Sequence, residues 1–505
     1  MIHNSSFIIH HSSLNSAMFP WKSVVKIKPN SNLPIYLQIA NQIVCQIKES
    51  HVQPGSRLPG SRAMSELLEV HRKTVVAAYE DLESQGWIEI HPSKGAFVHT
   101  KLPERKPSRI AEAPIKKGFP SQTGFEVKPY LNIHVPTYAP PNMIGLHDGP
   151  DLRLVPTKLI SQTYKSILTR KAHVPHLRYF EVEGNLYLRQ QLSEHLNESR
   201  GLQTSPDNIF VCRGSQMGIF LAAGILLSPG DIVLSGDPGY YYAERVFTHF
   251  GAKVIRVPVD QHGMRTDLVK EICEKQCVRM LYITPHHHFP TTVTLCAERR
   301  MELLEIANRC NIAILEDDYD YDFHYESSPL LPLASADQNG MVVYVGSMSK
   351  TFAQFLRIGF LVAPPNLLLE IGKLRQMIDI QGDYAMEQTI GELFRLGEIK
   401  RHMKKALKLY KQRRDHFCEL LTDQLSDRIQ FKKPEGGMSV WAEFDPSIPL
   451  PDIAAAAKKK GLAISNGKVY NKASDRTWNA CRLGFAGLNL EEQSFAVEVL
   501  KEVMA

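Results

Sequence analysis

No Cys-x-x-Cys spacing occurs among the 8 cysteines (Cys45, Cys212, Cys273, Cys277, Cys296, Cys310, Cys418 and Cys481), which are scattered through apolar runs. Neither a zinc ribbon nor a disulfide framework is expected, and reduced thiols suit a cytoplasmic protein. No run approaches the roughly 18 apolar residues of a membrane span. The leader MIHNSSFIIHHSSLNSA has no basic start and no continuous apolar stretch, so neither a secretory signal nor a membrane partner is expected. With 31 Gly and 31 Pro in 505 residues, collagen and low-complexity chains are excluded as well. Charge is nearly balanced: Lys+Arg 59 against Asp+Glu 53 leaves +6, which permits an anionic partner without demanding one. What is present, 43% hydrophobic and 22% charged residues, is enough for a full core. At roughly 150 residues per domain, the length suits about three folding units or one large α/β core with a smaller companion.

The first patterned stretch, PIYLQIANQIVCQIKES, places Ile35, Ile39, Ile43 and Ile47 at spacing four, which predicts an amphipathic helix entered through Pro34. Ser61 is expected to cap a short helix carrying Met64, Leu67 and Leu68. A further helix buries Val75, Tyr79 and Leu82 and stops at Gly86. IEIHPSKGAFVH then predicts two short strands around a Pro-Ser-Lys-Gly turn. Three helices and a hairpin make a winged helix-turn-helix.

The last of these helices opens on His71, Arg72, Lys73 and Thr74, donors at the end where a recognition helix meets DNA, while Arg57 and Arg62 flank the helix before it. Charge alone does not decide the matter, because residues 20–100 hold 9 Lys/Arg and 7 Asp/Glu, a net of only +2. The order and spacing of PIYLQIANQI, PGSRLPGSRAMSELLEVHRKTVVAAYEDLESQGWI and GAFV resemble the DNA-binding domain of GntR-type regulators. That resemblance implies DNA contacts at Arg62, Arg72, Lys73, Thr74 and the wing glycine Gly95, with Arg57, His71 and Lys94 completing the expected set.

Residues 101–140 are rich in Pro and Lys and read as an extended basic linker, with 6 Lys/Arg against 2 Asp/Glu in residues 101–125. Beyond it, short apolar runs (IFVC, DIVLSG, KVIRVPV, MLYITP, IAILED, VVYVG, IGFLVA) alternate with helical patterns, which predicts a predominantly parallel sheet covered on both faces. Ligands of such sheets sit beyond the carboxyl ends of strands. There stand Arg213-Gly214-Ser215-Gln216 at a helix start, Asp317 and Tyr319 after IAILE, and Ser347-Met348-Ser349-Lys350 with Arg357 nearby. A helix start can hold a phosphate. A lysine among hydroxyls is a candidate for a Schiff base, and an acid with a phenol suits a pyridine nitrogen and its ring oxygen. Asp320 and Asp322 read as a solvated acidic turn.

Together these residues resemble the fold-type-I, aminotransferase-like enzymes that use pyridoxal 5'-phosphate (PLP). The resemblance implies that Lys350 bonds the cofactor, Asp317 partners the ring nitrogen, Tyr319 the ring oxygen, and Tyr240 stacks on the ring. It gives Gly214, Ser215, Gln216, Ser347 and Arg357 to the phosphate, and Arg482 to a substrate or effector carboxylate. The whole arrangement resembles the MocR subfamily of GntR regulators. Where that subfamily has His-Gln-Phe-Pro-x-Gly, this chain has His287-His288-Phe289-Pro290-Thr291-Thr292, with Phe289 at the usual asparagine position and Thr292 at the glycine. His287 remains within expected reach of the cofactor. Adjacent His286, His287 and His288 invite a metal, but neighbours on an extended chain point apart and no acidic or thiolate partner is evident.

The expected organisation is a flexible segment 1–30 with translation starting at Met1 or Met18, a winged helix 31–100, the linker 101–140, and an aminotransferase-like PLP domain 141–505. The expected function is a homodimeric, PLP-dependent transcriptional regulator. It binds double-stranded promoter DNA and senses an amino compound or PLP. The rival is a working aminotransferase with an accessory DNA-binding module.

Overall fold

The computed structural model describes residues 19–28, 31, 33–103, 120–127, 143–179, 181–326, 330–471 and 477–505. Most of the expected linker 101–140 and the first 18 residues lie outside that set. The chain divides into two compact units, Met1–Val127 and Lys128–Ala505.

In the first unit, helices α1 (Trp21–Val24), α2 (Ile35–Lys48), α3 (Ser61–Leu68) and α4 (Arg72–Ser84) precede an antiparallel hairpin of β1 (Ile88–His91) and β2 (Gly95–Val98). Ile39, Ile43 and Ile47 of α2 are buried against Val75, Tyr79 and Leu82 of α4, as the spacing requires. Ile35 and Leu67 are exposed, at the outer edges of their helices. Two expectations are corrected. The segment before residue 30 is not wholly a loose lead-in, because Trp21 and Val25 are buried in this core. Ser61 is the first residue of α3 rather than its cap: Gly60 is the N-cap, and the Ser61 hydroxyl accepts from Arg72 Nε at 3.3 Å. Gly86, with φ +76°, lies just past the end of α4, where the left-handed backbone favours glycine.

The second unit opens with β3 (Ile144–Gly145) and is built on an eight-stranded sheet. Its strands are β4 (Ile209–Cys212), β5 (Ile232–Asp237), β6 (Lys253–Asp260), β7 (Gly263–Met264), β8 (Val278–Ile283), β9 (Ala313–Asp318), β10 (Val342–Ser347) and β11 (Gly359–Val362). The order is β4-β11-β10-β9-β8-β5-β6-β7. Neighbours from β10 across to β6 run parallel, whereas β11 is antiparallel to both β4 and β10, and β7 to β6. The sheet is thus mixed but mostly parallel. Strands such as VVYVGS and IFVC are buried along their whole length, the signature of a sheet covered on both faces.

After the 28-residue helix Glu398–Leu425, a second core forms around β12 (Ile429–Phe431), β13 (Ser439–Phe444) and β15 (Ala480–Gly484). The short β14 (Leu462–Ala463) pairs in parallel with β3, which carries residues 146–151 across to this C-terminal part. Gly484 N–H donates to the Leu146 carbonyl at 3.0 Å, and a Cβ at Gly484 would strike the His147 backbone. That close approach places the segment after β3 beside the arginine of β15.

Candidate functional site

Strands β5, β8, β9 and β10 run in one direction, so their carboxyl ends gather Tyr240, Phe289, Asp317, Tyr319 and Lys350 on one side of the sheet. Lys350 sits on the short helix Met348–Thr351 that continues from β10. Ser347 Oγ accepts from Ser349 N–H at 3.1 Å and caps that helix. Lys350 Nζ donates to the Asp148 carbonyl and lies 3.8 Å from Asp148 Oδ1.

Asp317, at the end of β9, accepts from the Tyr282 hydroxyl at 2.8 Å through Oδ2. Its other oxygen is buried without a hydrogen-bond partner among the described residues. Burial pushes its carboxyl up to about 7, against the opposing bond from Tyr282. In the cofactor-free protein the folded state therefore holds a proton on Asp317 over a range where the unfolded chain, near 3.9, has released it. The contribution of Asp317 to stability is therefore lost as pH rises through that window. Asp317→Asn is expected to flatten the pH dependence of urea unfolding between about pH 4 and 7, and an unchanged slope would assign the proton elsewhere.

Tyr319 donates to the His287 carbonyl at 2.8 Å and accepts from Arg482 Nη1 at 3.2 Å. Arg482 comes from β15, is 5% exposed, and its guanidinium lies 4.7 Å above the Phe289 ring. Asp148 Oδ2 lies 3.1 Å from Arg482 Nη2. Phe289 also meets Tyr240 edge-on at 4.9 Å between ring centres, and the Tyr240 hydroxyl lies 3.3 Å from Gln216 Oε1.

The helix Ser215–Leu226 begins after Gly214, whose φ is +84°. A Cβ at Gly214 would come within 2.8 Å of Arg357 Nη2, which donates to the Arg213 carbonyl at 2.9 Å. The same turn is pressed from beneath by Gly359, where a Cβ would meet Gly214 at 2.6 Å. Gly214, Arg357 and the start of that helix thus form a cradle of the kind that holds a phosphate. Ser349 Oγ is also buried without a hydrogen-bond partner among the described residues. An orphaned carboxylate oxygen, an orphaned hydroxyl and a glycine-bounded cradle together fit a PLP group with ring nitrogen, phosphate and aldehyde to place.

The His287 side chain turns away from this group. Its Nδ1 lies 2.8 Å from Asp320, and a Cβ at Gly436 would strike the ring. Only its carbonyl reaches Tyr319. His286 Nδ1 lies 3.2 Å from Asp318, and His288 Nδ1 2.8 Å from Thr291, so the three rings face different partners, on a backbone that bends at His286 and His287 rather than running extended. Acidic partners do exist, contrary to expectation, and each faces a different ring. Asp320 and Asp322 are corrected likewise: Asp320 is 1% exposed, and Asp322 binds Arg200 at 3.1 Å and the Thr351 hydroxyl at 2.9 Å. Asp322 thereby anchors the residue next to Lys350. Thr292 adopts φ +63°, the left-handed backbone that the resemblance reserves for glycine, at a cost of about 1 kcal/mol. Asp148, Tyr282 and Ser349 were not singled out from the sequence as site residues. Tyr282 reads as a core strand residue, and Asp148 follows the linker without any periodic signal.

On the first unit, His71 caps α4 through Nδ1, which accepts from Lys73 N–H at 3.2 Å. Arg57, Arg62, Arg72, Lys73 and Lys94 are exposed, and none makes an ion pair among the described residues. Thr74 is half-buried in the first turn of α4. Gly95, φ +107°, lets the hairpin close on Arg57: a Cβ there would lie 3.2 Å from Arg57 Nε. Such cations suit phosphate and base contacts.

Residues 147–500 match the family "Aminotransferase class I and II", and residues 35–98 match "Bacterial regulatory proteins, gntR family". The probable rhizopine catabolism regulatory protein MocR of Rhizobium meliloti is 27% identical over 86% of this chain and 87% of its own length. The HTH-type transcriptional regulator TauR of Rhodobacter capsulatus is 27% identical over 88% and 90%. Among solved structures, Pyrococcus horikoshii kynurenine aminotransferase, in complex with PMP, superimposes with a TM-score of 0.66 at 27% identity, covering 72% of this chain and 91% of that one. An archaeal alanine:glyoxylate aminotransferase gives 0.67 at 29% identity, covering 71% and 90%.

Proposed function

Because the chain belongs to the aminotransferase class I and II family and carries a gntR-family segment before it, the MocR-type arrangement, we propose that it is a DNA-binding regulator whose large domain binds PLP and senses an amino compound or PLP itself. The observation that carries this reading is the presence, in one chain, of exposed cations around α4 that make no ion pair among the described residues and of a site where, beside the Gly214 cradle, Asp317 Oδ1 and Ser349 Oγ are buried without a hydrogen-bond partner among the described residues.

Lys350 would hold the aldehyde carbon, Asp317 the ring nitrogen, Tyr319 the ring oxygen and Tyr240 the ring face. Gly214, Ser215, Gln216, Ser347, Ser349 and Arg357 would hold the phosphate. When bound, PLP supplies an aldehyde that takes up primary amines and a ring that withdraws electrons. Tyr319, tied to both the His287 carbonyl and Arg482, would link the oxygen of a bound ring to the Arg482 side of the pocket. A ligand that engages Lys350 and Arg482 differently in two states of the protein can shift an equilibrium between them, and only such a ligand can. DNA binding measured by mobility shift, first against PLP alone and then against PLP with a panel of amines and amino acids, tests this. An affinity indifferent to every ligand, together with rapid multiple-turnover transamination, would support the rival aminotransferase, which the likeness to solved aminotransferases favours.

A homodimer belongs to the same reading. Phe355, 53% exposed, lines an apolar groove of about 470 Å³ with Ile160, Tyr164, Leu168 and Met386. Apolar surface of this kind is costly to leave in water. Phe355→Glu is expected to convert the dimer to monomer in sedimentation velocity, and a persisting dimer would locate the interface elsewhere.

A further inference from the structure

The ligand pocket already contains an anion of its own. Asp148 Oδ2 lies 3.1 Å from Arg482 Nη2, and its Oδ1 lies 3.8 Å from Lys350 Nζ. On its other side Arg482 is occupied as well, since Nη1 donates to the Tyr319 hydroxyl at 3.2 Å and the Pro290 carbonyl at 3.4 Å. Nε and Nη2 are buried without a well-aligned hydrogen bond among the described residues. A ligand carboxylate reaching for that edge would come to rest against the Asp148 carboxylate. Two carboxylates on one guanidinium repel each other, and the cost grows as water is excluded.

Asp148 is not free to swing aside with its segment. Leu146 N–H donates to Ala463 and its carbonyl accepts from Gly484, both at 3.0 Å. On the far side Asp151 N–H donates to the Tyr410 hydroxyl at 2.8 Å, and Asp151 pairs with Arg413 at 2.8 Å. Burial pushes the Asp148 carboxyl up, but Lys350 and Arg482 outweigh it and hold it down at about 2 in the cofactor-free protein, and Arg482 remains beside it whatever Lys350 is bonded to. Around it the cavity of about 490 Å³ is walled by Tyr240, Phe289, Ile464 and Tyr470, surfaces suited to an apolar or aromatic body.

We propose that Asp148 sets the ligand class of this pocket: by occupying Arg482 it disfavours α-amino acids and selects primary amines that lack an α-carboxylate and carry an apolar or aromatic body. The proposal rests on the reading that the pocket beside Lys350 takes amino compounds. Asp148 acts as a specificity-determining residue; Arg482 then serves as its counter-ion and as the donor to Tyr319.

The test uses the full-length, PLP-loaded protein with phenylethylamine and phenylalanine as probes, which differ only in the carboxylate. Binding is followed by the change in PLP absorption and, independently, by calorimetry. The wild type is expected to bind phenylethylamine at least about tenfold more tightly, and Asp148→Asn to reduce or invert that ratio by about tenfold or more. Asp148→Ser serves in its place should the Asn variant not fold. Phenylalanine binding as tightly as the amine to the wild type, or a ratio unchanged in the variants, overturns the role of Asp148 while leaving the amine-sensing reading intact. Failure of both probes to bind would remove that reading, and this inference with it.

Discussion

Lys350→Ala is expected to abolish the visible absorption of the PLP-loaded protein and its labelling by borohydride. Lys350 is the lysine that β10 delivers to the carboxyl-end side of the sheet, on a helix capped by Ser347 and anchored at Thr351 by Asp322. Its amine donates to the Asp148 carbonyl and lies 3.8 Å from the Asp148 carboxylate, the counter-ion of Arg482. Covalent attachment needs that amine, so its removal should eliminate the band rather than weaken it, while the noncovalent partners still allow residual loose binding. Lys458 also lines the adjoining cavity and is the natural competitor. Peptide mapping after reduction distinguishes the two, and a label on Lys458 would reassign the attachment. The side chain of Lys350 is partly exposed, so truncation to Ala should leave the fold intact by circular dichroism.

What the sequence disclosed and what it concealed follow from the range of the interactions involved. The winged helix was legible because each element declares itself locally: the Ile row of α2, the glycine after α4 and the turn before Gly95 are short-range signals. The parallel strands were legible as unbroken apolar runs, with the chemistry-bearing residues directly after them. Long-range pairings were not legible. Asp148 reaches Arg482 across 334 positions only because β3 adds to β14 and packs on Gly484. Asp320 and Asp322 look like a hydrophilic turn in one dimension, yet they pair with His287 and Arg200, which arrive from distant segments. The antiparallel placement of β11 beside β4 likewise depends on a reversal at Arg357, a non-glycine residue with φ +51°, which no apolar pattern encodes. His287 was expected at the cofactor from its motif position. The demand of buried Asp320 for a partner claims the ring instead.

Arg72→Ala is expected to weaken binding to the specific operator by about 1–3 kcal/mol per half-site while leaving PLP absorption unchanged. Arg72 is the first residue of α4, exposed, and held at its Nε by Ser61 Oγ at 3.3 Å, so the terminal guanidinium nitrogens are aimed but uncommitted. A bidentate contact to a base edge needs such a fork, and alanine removes it outright. Lys73 and Lys94 differ in kind: as exposed point charges without ion pairs among the described residues they suit phosphates, and each replacement should lower the salt dependence by about one counterion with little change in sequence preference. Lys22, already paired with Glu69 at 2.7 Å, is the internal control whose loss should change little. If two winged helices engage a repeated operator, the Arg72 penalty is paid at both half-sites, so full-length protein should lose roughly twice what a single half-site probe reports. Equal losses on specific and random DNA would make Arg72 a phosphate contact, and unchanged binding would remove α4 from the DNA interface altogether.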